Sequence, residues 1–359
     1  MRLIDGHGAL INNETVEVNG EQIKGDNVII ATGASPKIPE INGISTSGYL
    51  TNETLFELEE VPESLIIIGG GYIALESAQM FSRFGSKVTI LEQLPNIMPQ
   101  KVTDITHALT AYLKEEGINI LTNVSINRVK KENKQISVKA AIDGQPTNFK
   151  ASHLLIATGR KPNTHGIGLD SIGIEIDRAG FLKVDSSLRT NISNIYGAGD
   201  AIGNPMFVYT AAYEGNLAAE NATLNSSKQV NYEVLPWVVF TDPQVAGVGL
   251  DERQAKKNGY DAESATLPLA YVPRSLVARD TRGFIKLIRD KITDKLLGAR
   301  ILAPEGSELL MEISLAIKYE ITTQELASSF HPYLTLSEGI KLAALSFKKD
   351  VKKLSCCAS

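Results

Sequence analysis

Cys356 and Cys357 stand side by side near the end of this 359-residue chain, followed only by Ala358 and Ser359, and they are the only two cysteines in it. A thiolate pair at a chain end is poorly placed to brace a core. It is well placed to reach out, bind a soft thiophilic ion and pass it on. Both residues are therefore candidate catalytic and metal-ligating groups.

A second constellation suits a dinucleotide. Ser64-Leu65-Ile66-Ile67-Ile68 reads as a buried parallel strand that runs into Gly69-x-Gly71-x-x-Ala74 and then a helix over 72–84, ending at Gly85. The glycines permit a tight turn and let backbone amides and the helix N-terminus approach a pyrophosphate, while small Ala74 lets helix and strand pack closely. A second strand, 87–91, delivers Glu92 about twenty residues after the glycines. A carboxylate there accepts hydrogen bonds from a ribose 2′-hydroxyl and repels a 2′-phosphate, which favours NADH over NADPH without excluding the latter.

The elements around these groups form an internal repeat. Val28-Ile29-Ile30-Ala31-Thr32-Gly33 is echoed by Leu154-Leu155-Ile156-Ala157-Thr158-Gly159. Each copy follows a strand and a turn, at Asn19-Gly20 in the first and Asp143-Gly144 in the second. Two nucleotide-binding units are expected. The copies are unequal, because Ala157 lies 88 positions after Gly69 whereas only 30 residues precede Ala31. The expectation is that a front portion of the first unit is missing.

Composition bounds the rest. With 43% hydrophobic and 21% charged residues the chain reads as an ordinary globular protein of two or three domains. Its longest apolar stretch, near Leu65 to Leu75, is interrupted by Gly69-Gly70-Gly71 and is far short of a membrane span. No apolar segment of the signal-peptide kind follows Met1, and two cysteines suit a reducing compartment, so a cytoplasmic location without a membrane partner is expected. A net charge of −5 and a pI near 5.7 give no support for nucleic acid as a partner.

In this order the motifs resemble the pyridine nucleotide-disulfide oxidoreductase family over essentially the whole chain. The run Thr190 to Asp200, ending Tyr196-Gly197-Ala198-Gly199-Asp200, is similar to that family's second flavin signature, and Pro236 to Val245 to the first strand of its dimerisation domain. The resemblance implies an α/β fold. Its expected parts are a remnant of an FAD-binding domain (1–47), a Rossmann-like NAD(P)-binding domain (48–160), a segment closing the FAD domain (161–229) and a C-terminal α+β dimerisation domain with the Cys-Cys tail (230–359). It also implies FAD and NAD(P)H as cofactors, a homodimer, and cofactor contacts at Thr32, Gly33, Gly159, Gly199 and Asp200 beside Gly69, Gly71, Ala74 and Glu92. Glu76 matches a carboxylate that in the family pairs with a lysine beside the flavin; a solvated helix residue is the alternative.

Within the family, Val272-Pro273-Arg274, Asp280 to Phe284, His331 to Gly339 and the Cys-Cys ending look most like mercuric reductases. That likeness implies Hg(II) as substrate, reduced to Hg(0), with Tyr49 and Tyr333 lining the mercury site. Related disulfide reductases carry a histidine general acid-base in a His-Pro-Thr-x-Ser-Glu run. Alignment on Thr335-Leu336-Ser337-Glu338 puts Tyr333 at that place, and a phenol is a poor base near neutral pH, so a structural role is expected of His331. Two departures stand out: no cysteine precedes Cys356, so the family's Cys-x4-Cys redox pair is absent, and so is a first glycine fingerprint. A mercuric reductase lacking its N-terminal part is the reading adopted, and as written the chain is expected not to run the relay from flavin to disulfide and, if truncated, to be inactive alone. A dihydrolipoamide dehydrogenase-like enzyme and a non-catalytic, NAD-binding, dimerising fragment are the alternatives.

Overall fold

The computed structural model describes residues 2–99 and 101–350, so Cys356 and Cys357 lie outside the described residues. The chain forms two compact units, Met1–Ile38 with Gly159–Asn231, and Pro39–Thr158 with Tyr232–Ser359.

The first unit opens with an antiparallel sheet of β1 (Gly8–Asn12), β2 (Thr15–Val18) and β3 (Glu21–Lys24). Asn19 and Gly20, both at positive φ (53° and 82°), make the two-residue turn between β2 and β3. The chain continues through β4 (Val28–Ile30) and β5 (Ala34–Pro36) before entering the second unit.

There β6 (Ser64–Ile68), α1 (Tyr72–Arg83), β7 (Lys87–Leu91), α2 (Thr103–Glu115) and β8 (Asn119–Leu121) form consecutive βαβ crossovers. A helix does not make the next crossover. It is an antiparallel sheet of β9 (Val124–Glu132), β10 (Gln135–Ile142) and β11 (Gln145–Ala151), after which β12 (His153–Ile156) returns beside β6. The parallel sheet has the order β12-β6-β7-β8. Leu65, Ile66, Ile67 and Ile68 are all buried, as expected of a strand covered on both faces.

Back in the first unit, β13 (Arg160–Pro162) pairs antiparallel with β5, and β14 (Ile195–Gly197) pairs parallel with β4. The helix α3 (Val208–Leu224) closes the unit through Leu217 and Ala218, which pack on Leu188 and Tyr196.

The remaining residues build a five-stranded antiparallel sheet from β15 (Trp237–Val239), β16 (Gln244–Gly249), β17 (Ala262–Pro268), β18 (Phe284–Asp290) and β19 (Leu296–Ala303). Its order is β15-β16-β19-β18-β17, with short helices α4 (Glu252–Lys257) and α5 (Pro273–Ala278) in the connections. The helices α6 (Leu310–Lys318), α7 (Thr323–Ser328) and α8 (Glu338–Leu345) follow it. Every residue of β19 is buried, because one face packs on α6, α7 and α8 while Leu302, with Val239 and Val245, joins the core of Ile105, Leu109 and Leu113 on α2. Each such Leu or Ile adds about 1.5–3 kcal/mol by leaving water. Among the described residues no helix is long and apolar enough to cross a membrane.

Two cations buried in this sheet, Lys286 and Arg289, are paired. Lys286 meets Asp104 and Glu252, and Arg289 meets Glu263 and Asp294. Burial pushes the Asp294 carboxyl up, but the Thr323 hydroxyl, the Gln324 amide and Arg289 outweigh it and hold it below the usual aspartate range; Arg282 does the same to Asp280. The unfolded chain therefore takes up these protons first as pH falls, and the stabilisation, full above the ordinary carboxylate range, is lost as pH falls below that range through the depressed folded-state values. Urea melts at pH 7, 5 and 4 are expected to show stability falling below about pH 5. Asp294→Asn should flatten that slope, and an unchanged slope would contradict the assignment.

Candidate functional site

At the end of β6 the chain turns sharply under helix α1. Gly69 has φ 112°, and a Cβ built there would lie 2.3 Å from the Ala157 carbonyl oxygen at the end of β12, so this crossing of backbones admits only glycine. Its N–H donates to Leu91 O (3.0 Å), which ties the turn to β7. A Cβ at Gly70 would sit 2.8 Å from Glu92 Oε2. A Cβ at Gly71, the N-cap of α1, would meet nothing within 4 Å. No side chain caps the helix there, and Ala74 is fully buried against the sheet. Open space before uncapped helix amides is a cradle for a pyrophosphate, so the residues present fit a dinucleotide.

Glu92 is fixed at the rim of that space. Its N–H donates to Leu121 O, its carbonyl accepts from Val124 N, and its Oε1 accepts from Leu94 N at 2.7 Å. Only 8% of the residue is exposed. The structure thus brings Gly69, Gly71, Ala74 and Glu92 into one site.

Glu76, on the next turn of α1, is half-buried rather than solvated. Its Oε1 accepts from Phe240 N at 2.8 Å. Burial pushes its pKa up, and the Phe240 amide offsets only part of that.

The first unit holds the other group of residues. Gly199 has φ 70° and donates its N–H to Glu214 Oε2 at 2.7 Å, so a carboxylate of α3 that is 1% exposed pins the turn that presents Asp200. Asp200 Oδ2 lies 3.2 Å from Arg160 Nε, an ion pair without hydrogen-bond alignment, and the Arg160 guanidinium also donates to Ala34 O. The Thr32 and Gly33 carbonyls accept from the side chain and backbone of Asn163 (3.0 and 2.9 Å), and Gly159 O accepts from Lys37 N.

Tyr49 is half-buried and precedes Leu50, which runs beside β12 and bonds to Leu154 and Ile156. Tyr333 is 54% exposed in the loop between α7 and α8, and no hydrogen bond or ring contact joins the two tyrosines. In the same loop His331 Nε2 lies 2.7 Å from Glu312 Oε1 with the ring buried, which anchors the loop to α6.

The family described as pyridine nucleotide-disulphide oxidoreductase matches residues 1–215, and its dimerisation domain matches residues 235–344. The chain belongs to this family. It is homologous to mercuric reductases of Bacillus cereus, 44% identical over 356 residues (99% of this chain, 56% of that protein), and of Staphylococcus aureus, 42% identical over 356 residues (99% and 65%). It spans between about half and two thirds of the length of these relatives. Two similar solved structures are the HOCl-induced flavoprotein disulfide reductase RclA from Escherichia coli (TM-score 0.88, 32% identity, 95% of this chain and 78% of that one) and LpdA from Mycobacterium tuberculosis (0.86, 28%, 96% and 77%).

Sequence reasoning missed Glu214, Arg160 and Gln79. A lone carboxylate within helix α3 carries no periodic signal, and Arg160 follows the repeated Ala-Thr-Gly without a counterpart in the first copy. Gln79 did leave a trace, since Glu76, Gln79 and Arg83 form one helical stripe.

Proposed function

We propose that the protein is a mercuric reductase-like flavoprotein that binds NAD(P)H at the Gly69–Gly71 turn and uses its electrons to reduce Hg(II) to Hg(0). The dinucleotide cradle carries this reading, in a chain 44% identical to a mercuric reductase. The α1 amides would hold the pyrophosphate, Glu92 the adenosine ribose, and the half-buried Glu76 would keep a carboxyl of raised proton affinity one helical turn further on. FAD, when bound, passes two electrons from nicotinamide to acceptor, and Asp200, Gly199, Thr32, Gly33 and Gly159 are the residues of this chain proposed to touch it. The fit to FAD is partial: β12 pairs with the fingerprint strand β6, whereas its repeat β4 pairs only with β14 among the described residues. No step through a redox disulfide is assigned to this chain, whose cysteines are Cys356 and Cys357 alone. Those two thiolates are proposed to collect Hg(II), with Tyr49 and Tyr333 lining its path.

The test is Hg(II)-dependent NAD(P)H oxidation with detection of mercury vapour, in the wild type and in Cys356→Ala/Cys357→Ala. Loss of turnover in the double variant at low Hg(II) supports the reading. Unchanged turnover would favour a disulfide reductase of the RclA kind, and nucleotide binding without flavin colour or oxidation a binding fragment. Glu92→Ala is expected to shift the NADH-to-NADPH affinity ratio by about tenfold towards NADPH, measured by titration.

A homodimer is proposed from an apolar surface. Met311, Leu315 and Tyr319 lie exposed along α6, with Phe330 and Tyr333 exposed in the segment that His331 ties to it. Such a patch marks a protein contact. Sedimentation is expected to give twice the chain mass, and Leu315→Lys to give monomer. A cytoplasmic location, where NAD(P)H is supplied, belongs to the same proposal.

A further inference from the structure

The helix that carries the dinucleotide cradle at its N-terminus is gripped on its flank by the turn joining β15 to β16. Three residues of α1, spaced 76, 79 and 83, face that turn. Glu76 Oε1 accepts from Phe240 N (2.8 Å); Gln79 accepts from Asp242 N and donates to Asp242 O (2.7 Å each); Arg83 Nη2 pairs with Asp242 Oδ2 (2.8 Å). Gln79 is 4% exposed, so its two backbone bonds are made out of water, where losing them is costly.

Arg282 locks the far side of the turn. It donates to Asp242 Oδ1 (2.9 Å) and Asp242 O (3.2 Å), and is itself oriented by Asp280 through bonds of 2.9 and 2.6 Å. Glu116, the C-cap of α2, joins the cluster through Arg83 and Gln79. The cluster thus reads the backbone of one turn with directional bonds at successive turns of α1, which fixes the rotation and axial position of the helix. General packing would constrain neither so tightly.

We propose that the Phe240–Pro243 turn of the C-terminal sheet is a positioning part of the dinucleotide site, with Gln79 and Arg282 as the positioning residues that set where the amides after Gly71 and the Glu76 carboxylate stand. This rests on the dinucleotide reading of the Gly69–Gly71 cradle. Displacements of about 1 Å at a distant support are enough to impair a site of this kind.

The test uses the chain's single tryptophan, Trp237, as energy donor to bound NADH. Gln79→Met keeps the side-chain length and removes both bonds to Asp242; Arg282→Lys keeps the charge and loses the fork. Each is expected to weaken NADH binding about tenfold. Arg289→Lys is the control: it disturbs an ion cluster of similar density in the same sheet that does not touch α1, and it should lower the melting temperature without changing NADH affinity. If Gln79→Met does not fold, Arg282→Lys carries the test. Variants that bind NADH as the wild type does, or a control that loses affinity in step with its stability, would overturn the inference. A wild type that binds no NADH would overturn the dinucleotide reading itself, and this inference with it.

Discussion

Gly69→Val is expected to abolish NADH binding, with at least a hundredfold loss of affinity, and to lower unfolding free energy by about 3 kcal/mol or more. Two costs add at this position. A φ of 112° is strained for any residue with a side chain, and the new Cβ would stand 2.3 Å from the Ala157 carbonyl, which belongs to a strand end and has no room to retreat. Relief requires β6 and β12 to part just where their ends frame the cradle. Titration with NADH and urea melts read the two effects separately. Gly71→Ala is the informative companion, because its φ is −79° and its Cβ would meet no protein atom. Stability should change by less than about 0.5 kcal/mol. A fall in NADH affinity in that variant would therefore report a ligand beside Gly71, and unaltered affinity would argue that the pyrophosphate lies elsewhere.

Arg289→Ala should destabilise the second unit by about 2–3 kcal/mol while leaving NADH affinity intact. Arg289 is 8% exposed on β18. Its guanidinium donates to Glu263 Oε2 through two nitrogens (2.6 and 3.0 Å), to Asp294 Oδ1 (2.7 Å) and to Thr323 Oγ1 (3.2 Å), and it lies 4.3 Å from the centroid of the Phe347 ring. Truncation leaves Asp294, still bonded to Thr323 and the Gln324 amide, without its cation at a half-buried position. It also removes the ring contact that holds the chain after α8, nine residues before Cys356. Denaturant melts should show the loss of stability. A cost under 1 kcal/mol would mean the cluster is solvated in solution and works as an ordinary surface pair.

The second nucleotide unit was legible in the sequence because its signals are local. A strand of Leu and Ile, a glycine turn, a helix ending before Gly85 and a second strand before Glu92 all obey short-range rules, and the structure has β6, α1 and β7 within a residue of those bounds. The turns at Asn19-Gly20 and Asp143-Gly144 follow from residues that tolerate positive φ. The turn at Gly199-Asp200 was visible, but the carboxylate that holds it, Glu214, was not. A buried hydrogen bond between positions fifteen apart depends on how α3 lies against the turn, and no local rule encodes that.

The alternatives for Glu76 show the same division. From the sequence it was either a carboxylate matching one that pairs with a lysine beside the flavin or a solvated helix position; in the fold it is half-buried and bonded to Phe240 N, 164 residues away. The glycine cradle and the acidic residue after β7 were thus determined by sequence alone, because each depends on backbone conformations and residue sizes set within about thirty positions, and family membership was legible from motifs spread along the whole chain. The grip of the 240–243 turn on α1, the burial of Glu214 and the pairing of the sheet's buried charges were decided only by tertiary structure. Those features join segments far apart in the chain, and their strength comes from the exclusion of water, which exists only once the segments have packed.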